Sequence, residues 1–412
     1  MRNSEFGMME TSVFTQREEL EKAAAMLRAG ELVAVPTETV YGLAGNGLDP
    51  AAVEAIYEVK GRPAVKPLSL MVPDAAAMER YCEEVPPQAK ALAERFWPGP
   101  LTIVLKARDL VPEIVRAGGE TLGLRCPDHP LTLALLRLSG VPFAAPSANP
   151  SGAESPRTAA RVLDYFDGKI AAVVDGGPCG LGRESTILDM SRRPYRILRQ
   201  GALPEEEIAD ALVDGLEIVG VTGGSGSGKT TALKALEARG ALVLDCDGIY
   251  HELLREDREL LAQLGEAFPG TVENGVLQRK KLGEIVFRDQ AALKNLNAIT
   301  HAFISREVRR RLRAFAMAGG TLAALDASEL LESPLAACCD LTLGVIADEE
   351  LRAARIMARD GLSRDYALLR IRAQRPDSYF RERCDLVLEN NEDEATFLSN
   401  INTILEEKLH HG

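Results

Sequence analysis

The chain has 412 residues, 46% hydrophobic and 26% charged, with a formal net charge of −13. That length holds about two to three domains, and the composition is that of a globular protein, not a disordered or fibrous one. Neither half is basic, which argues against a protein whose main task is to coat nucleic acid but leaves room for a local cationic pocket.

In chain order, Met1 to Gly7 precede a start-like pair, Met8 and Met9, and no fold is expected of them. Leu32-Val33-Ala34-Val35 reads as a buried strand broken by Pro36, which delivers Thr37-Glu38-Thr39-Val40-Tyr41-Gly42-Leu43. An amphipathic helix over 52–59 runs into Lys60-Gly61-Arg62-Pro63, with Lys66-Pro67-Leu68 close behind. Phe96-Trp97-Pro98 reads as a core anchor. Leu122 to Pro127, Ala145 to Gly152, Asp175-Gly176-Gly177 and Arg183 to Ile187 complete the block. It contains no Walker motif, catalytic triad or metal cluster. It offers cations (Lys60, Arg62, Arg125, Arg199) and hydroxyls on short turns between strands, a pattern that suits an anionic ligand without naming it.

The ordered set Pro36 to Gly42, Lys60 to Pro63 and Ser147-Ala148-Asn149-x-Ser151-Gly152 resembles the YrdC-like family of threonylcarbamoyl-adenylate synthases, over residues of about 13–201. The resemblance implies an α/β domain with a twisted mixed sheet. It also implies a reaction that joins L-threonine, bicarbonate and ATP into threonylcarbamoyl-AMP and pyrophosphate, the first step towards t6A in tRNA. Such chemistry needs no enzyme nucleophile; it needs three oriented substrates and a neutralised triphosphate. Carried over by motif, Lys60, Arg62, Lys66, Thr121, Ser147, Asn149, Ser155 and Arg199 are nucleotide-side candidates. Thr39, Arg125 and Ser185 are threonine-side candidates, with Arg125 suited to a carboxylate. Met71 stands where the family often has a histidine, and Lys66 where an asparagine is expected. Transient contact with tRNA-modification proteins is part of the same implication. The alternative is a first block that only binds RNA, against which the acidic balance and the retained Lys60, Arg62, Ser147 and Asn149 weigh.

Tyr195 to Gly201 reads as a closing strand and turn, and Pro204-Glu205-Glu206-Glu207 opens a short linker helix with an acidic first turn. The expected domains are 9–205 and 216–412. Leu216 to Val221 is then a short apolar run of the kind that makes a buried parallel strand. It leads straight into Gly223-Gly224-Ser225-Gly226-Ser227-Gly228-Lys229-Thr230, a complete G-x-x-x-x-G-K-[ST] phosphate loop, followed by a helix from Thr231. Its glycines let successive N–H groups point at phosphate oxygens, Lys229 reaches the outer phosphates, and the Thr230 hydroxyl helps hold Mg2+. A second strand, Ala241 to Leu244, ends in Asp245-Cys246-Asp247, at the carboxyl end where doubly wound sheets bind ligands. Either carboxylate can accept a proton from an attacking hydroxyl or hold magnesium through water; a helix N-cap is the plainer role.

That run, with Leu277-Gln278-Arg279, Ile299-Thr300-His301, Arg355-x-Met357-x-Arg359-Asp360-Gly361, Arg370-Ile371-x-Ala373-Gln374, and Asp385 with Asn390, resembles dephospho-coenzyme A kinase across nearly all of 216–400. The resemblance implies a doubly wound parallel sheet with a helical lid. It makes Asp247 the general base on the ribose 3′-hydroxyl, puts Arg279, His301 and Asp326 at the acceptor pocket, and gives Arg355 and Arg359 to the lid, with Lys229 and Arg359 acting on the transferred phosphoryl group. ATP is then a substrate of both domains. The sequence departs from the family at Ser328, which replaces a proline, and at Glu329, which replaces a leucine. A nucleoside-type small-molecule kinase is the alternative, since residues 223–230 define only the donor. The seven cysteines (Cys82, Cys126, Cys179, Cys246, Cys338, Cys339, Cys384) lack C-x-x-C spacing and are expected as small buried apolar groups in a reducing cytoplasm, with no disulfide partner. No 18-residue apolar run occurs, so no membrane partner is expected.

Overall fold

The computed structural model describes residues 10–408; Met1 to Gly7, Met8, Met9 and the outer domain ends at 9 and 412 lie outside the described residues. The chain divides into two compact units between Asp214 and Gly215. The helix Glu205–Val213, expected as a linker, belongs instead to the first unit. Its buried Ile208, Ala209, Leu212 and Val213 make an apolar face against the helix Pro87–Phe96, and burying that face fixes the segment in place.

The first unit is built on a ten-stranded mixed sheet. Across it run Ser12–Phe14, Ala172–Val174, Val33–Val35, Gly42–Asn46, Phe143–Ala144, Ser69–Met71, Thr121–Arg125, Leu101–Lys106, Thr186–Asp189 and Arg196–Arg199. Several of these strands are only two to four residues long, so the chain turns often at the sheet ends and places many short loops there. The helices Leu20–Arg28 and Pro130–Ser139 bury Leu20, Leu27, Leu135 and Leu136 together with Val33, Val35 and Phe143. Trp97 is buried, and its Nε1 donates to the Leu101 carbonyl at 2.7 Å, as an anchor of the core would.

One helix of this unit is bounded by local chemistry that matters for the site. Asp49 caps Pro50–Lys60 by accepting from the Ala51 N–H at 3.0 Å, and Pro50 takes the first helical position. Gly61, at φ 58°, ends the helix in the left-handed region. The chain therefore reverses between Lys60 and Arg62, and their side chains part.

The second unit has a five-stranded all-parallel sheet in the order Leu242–Asp245, Leu322–Asp326, Glu217–Thr222, Leu341–Ile346, Leu386–Glu389. The first strand in the chain lies at the centre, and the following strands add on both sides of it. That reversal opens a crevice at the carboxyl ends. Val219, Val221, Leu343 and Val345 form the core with Leu233, Leu236, Phe397 and Ile401 from the flanking helices. A separate helical cluster, including Leu260, Leu264, Phe268, Leu296 and Phe303, builds the wall beside the second strand. The helix pair Glu349–Asp360 and Arg364–Arg372 packs through Ala353, Ile356, Leu368 and Ile371. Among the described residues no helix is long and apolar enough to cross a membrane. All seven cysteines are free; Cys82, Cys126, Cys179 and Cys246 are buried as expected, whereas Cys338 is exposed and Cys339 and Cys384 are half-buried. Cys338 and Cys339 fall at the end of a short 3-10 turn, Pro334–Cys338, rather than inside a strand, and neither is buried.

Candidate active sites

The first unit holds a cavity lined by Arg62, Arg125, Arg199, Ser69, Thr102, Ser147, Glu184 and Ser185, with Met71, Pro67 and Leu68 on its apolar side. Three guanidiniums from three segments converge on it. Arg62 donates to the Lys66 and Pro67 carbonyls at 3.3 and 3.0 Å. Arg199 donates to the Ser185 carbonyl at 3.1 and 2.9 Å and to its hydroxyl at 3.2 Å. Burial pushes the Arg199 guanidinium down against the pull of Glu184, and Arg125 and Arg62 add to the fall. An anion in the cavity would relieve that mutual repulsion.

Arg125 is held on the opposite side by its own acid. Its Nη2 lies 2.7 Å from Glu38 Oε1 and 2.8 Å from Thr39 Oγ1, and Nε donates to the Gly99 carbonyl at 3.3 Å. Both members of the ion pair are largely buried, 8% and 14% exposed. Glu38→Ala would leave that cation unpaired and is expected to destabilise the first unit by about 3 kcal/mol. The effect would be read as a lower urea midpoint at unchanged m value.

Of the expected residues, Arg62, Ser147, Arg199, Arg125 and Ser185 line this cavity, while Lys60, Lys66, Thr121, Asn149, Ser155 and Thr39 do not. The buried Lys60 ammonium donates to the Ser147 and Asn149 carbonyls, and burial, with Arg62 nearby, lowers it to about 8. It therefore holds the 147–149 turn. Asn149 donates to the Pro150 and Ala153 carbonyls and Thr39 bonds Thr37, both within the wall. Ser155 Oγ donates to Glu184 Oε1 at 2.9 Å. Thr102, whose hydroxyl lies 2.8 Å from that of Ser185, and Glu184 are lining residues that the sequence did not single out. Only the strand pairing that brings Leu101–Lys106 beside Thr186–Asp189 reveals Thr102.

In the second unit, Gly223 to Thr230 forms the loop between strand and helix. Gly223, Gly226 and Gly228 have φ of 146°, 77° and 110°, a region closed to most side chains. A Cβ at Gly228 would stand 2.1 Å from Asn390 Nδ2. Lys229 Nζ rests on the Gly223 carbonyl at 3.1 Å. The cavity over the loop is lined by Gly224 to Gly226, Gly228 to Thr231, Ser328, Arg355, Arg359, Arg370 and Asn390. Ser227 is fully buried beneath the loop.

The two arginines expected of a lid, Arg355 and Arg359, are engaged differently. Arg355 donates to the Gly226 carbonyl at 3.3 Å and to the Asn390 carbonyl at 3.0 Å, so it braces the loop. Arg359 lies at the rim, paired with Asp360 at 2.6 and 2.9 Å, and Arg370 pairs with the same carboxylate at 2.8 Å. Arg370, Asn390 and the buried Arg352, which donates to the Ser225 carbonyl at 3.0 Å, were not among the expected site residues. The regular i, i+3 spacing of Arg352 from Arg355 on one helix was the available signal.

A second cavity adjoins, lined by Asp247, Tyr250, Asn297, Thr300, His301, Ser328 and Glu329 among others. The structure separates the two carboxylates of the Asp245-Cys246-Asp247 run. Asp245 is the N-cap of Cys246–Glu256, accepting from the Gly248 N–H at 2.9 Å, whereas Asp247 faces the cavity. Asp326 does not line it. Burial, with Asp245 and Asp247 nearby, pushes the Asp326 carboxyl up against the opposing pull of Lys229. Arg279 is also off the wall, but close enough to Tyr250 to counter the rise that burial gives that phenol.

Two α/β nucleotide-site domains thus stand in tandem, one with a phosphate loop and one with three convergent arginines in its place. Residues 25–201 match the Sua5–YciO–YrdC family model, described as telomere recombination, and residues 217–395 match the CoaE model, described as dephospho-CoA kinase. The threonylcarbamoyl-AMP synthase of Pyrococcus abyssi is 46% identical over 203 residues, 48% of this chain and 60% of that protein. Its counterpart in Bacillus subtilis is 48% identical over 195 residues, 47% of this chain and 56% of that protein. The mouse threonylcarbamoyl-AMP synthase is 36% identical over 197 residues, 46% of this chain and 69% of that protein. The chain spans little more than half the length of the first two. It belongs to the threonylcarbamoyl-AMP synthase family through its first half, fused to a dephospho-CoA kinase domain in its second.

Proposed function

We propose that the chain is a bifunctional transferase. Residues 9–205 would condense L-threonine, bicarbonate and ATP into L-threonylcarbamoyl-AMP and pyrophosphate, within the t6A pathway of tRNA modification. Residues 216–412 would transfer the γ-phosphoryl group of ATP to the 3′-hydroxyl of dephospho-CoA, giving coenzyme A. A cytoplasmic location and transient contact with tRNA-modification proteins belong to the same proposal.

The observation that carries it is the presence of two separate cationic cavities, each on the wall where its own motif series converges. In the first, Arg62 and Arg199 would face the phosphates and Arg125 the amino-acid carboxylate, with Ser147 and Ser185 supplying hydroxyl contacts. In the second, Lys229 and the loop amides would hold the β- and γ-phosphates, and Asp247 would accept the proton of the attacking hydroxyl. Magnesium fits here: the Thr230 hydroxyl and the carboxylates near Lys229 are the hard oxygen donors it takes, together with substrate phosphates, and bound there it would neutralise phosphate charge.

The test measures both reactions on the full-length protein, omitting each substrate in turn. Pyrophosphate release should require threonine and bicarbonate, and 3′-phosphorylation should favour dephospho-CoA over a panel of nucleosides. Release that ignores threonine would sink the synthase reading, and equal turnover of nucleosides the kinase reading. Arg62→Ala should raise KM for ATP by about tenfold or more in the first reaction alone, the loss expected for a charge-assisted phosphate contact.

A further inference from the structure

We propose that Ser328 is a positioning residue for phosphoryl transfer: its hydroxyl fixes the Asp247 carboxylate at the point where the donor and acceptor cavities meet. The inference rests on the kinase reading above and names a residue which that reading does not use. Ser328 Oγ donates to Asp247 Oδ2 at 2.7 Å. It stands just past the end of the strand Leu322–Asp326, and Asp247 lies in the first turn of Cys246–Glu256. The strand that precedes this helix, Leu242–Asp245, neighbours Leu322–Asp326 with Asp245 in register with Asp326, so the bond ties together the segments that leave two adjacent strands at the carboxyl edge of the sheet.

Three features give the contact a mechanistic meaning. Among the described residues, Ser328 alone lines both the cavity over the phosphate loop, with Lys229 and Thr230, and the cavity that holds Asp247 and His301. The neighbouring carboxylate is already committed, because Asp245 caps the helix. Asp247 itself is exposed, and among the described residues Ser328 is its one side-chain hydrogen-bond partner, so removing that hydroxyl would leave its rotamer unrestrained. With Oδ2 fixed by a charge-assisted bond, Oδ1 remains available for the acceptor hydroxyl. In the reaction, the hydroxyl oxygen bonds to the γ-phosphorus and the bond from that phosphorus to the β-bridging oxygen breaks. ADP leaves with the electron pair, and the hydroxyl proton passes to Asp247. The hydroxyl of Ser328 exchanges no atom; it sets the angle at which the carboxylate meets the proton. A proline at this place, the residue that the family resemblance implies, has no donor to offer.

Steady-state kinase assays on full-length wild type, Ser328→Ala, Ser328→Thr, Asp247→Ala and the double variant Asp247→Ala/Ser328→Ala test this. Ser328→Ala should lower kcat by about tenfold, in keeping with a small misplacement of a reacting group, and leave KM for ATP within about twofold. Threonine, which keeps the hydroxyl, should restore kcat to within about threefold. In the Asp247→Ala background, Ser328→Ala should cost nothing further, since a residue acting through another shows full coupling in a double-mutant cycle. A normal kcat in Ser328→Ala, a failure of threonine to rescue, or losses that multiply in the double variant would each overturn the proposal while leaving the kinase reading intact. A wild-type protein that forms no coenzyme A would overturn both.

Discussion

Lys229→Ala should reduce coenzyme A formation by at least about 10²–10³-fold, while threonylcarbamoyl-AMP formation continues at the wild-type rate. The size follows from where the cation stands. Lys229 opens the helix Lys229–Ala238 directly after the glycine loop and lines the cavity over it, where its ammonium would meet the outer phosphates of a bound nucleotide. Removing one preorganised donor from a developing phosphoryl charge costs about that much in turnover. The selectivity follows from the first cavity having its own cations, Arg62, Arg125 and Arg199. Assays of both products on one preparation check it. A fall in both would mean that the two reactions share a site.

Asp247→Asn is the second large effect, expected to lower kinase kcat by about 10²–10⁴-fold, the usual contribution of a positioned general base. Asparagine keeps the shape and the contact with Ser328, so the loss isolates proton acceptance from geometry. Residue type and spacing left Asp245 and Asp247 as equals, and it was the family resemblance that favoured Asp247. The structure divides them, because Asp245 is engaged by the Gly248 N–H while Asp247 faces the cavity it shares with Tyr250 and His301. A rate near wild type would move that role to Asp245 or Asp326.

Much of this was legible in the sequence where local chemistry decides the outcome. The phosphate loop is a contiguous string whose glycines and following helix admit few conformations, so its position and shape could be read directly. Apolar runs such as Leu216 to Val221 and Ala241 to Leu244 likewise marked parallel strands. What could not be read was the direction of individual side chains. Lys60 and Arg62 sit two residues apart across the left-handed turn at Gly61, and only one faces the cavity. Thr102 reaches it through strand pairing between distant segments, which leaves no trace in spacing. The helix Glu205–Val213 misled because its acidic first turn is exposed while its apolar face is covered by a partner from residues 87–96. The division of labour among Arg352, Arg355 and Arg359 was also hidden, since periodicity groups them on one helix but does not say which carbonyl each meets.

The central claim is that one chain uses ATP in two chemically different ways. It is tested most directly by incubating the full-length protein with all four substrates and ATP labelled at either the α- or the γ-phosphate. The α-label should appear in threonylcarbamoyl-AMP and the γ-label in coenzyme A, with Lys229→Ala removing only the second. Label from only one position appearing in product, or both transfers failing together in that variant, would contradict it.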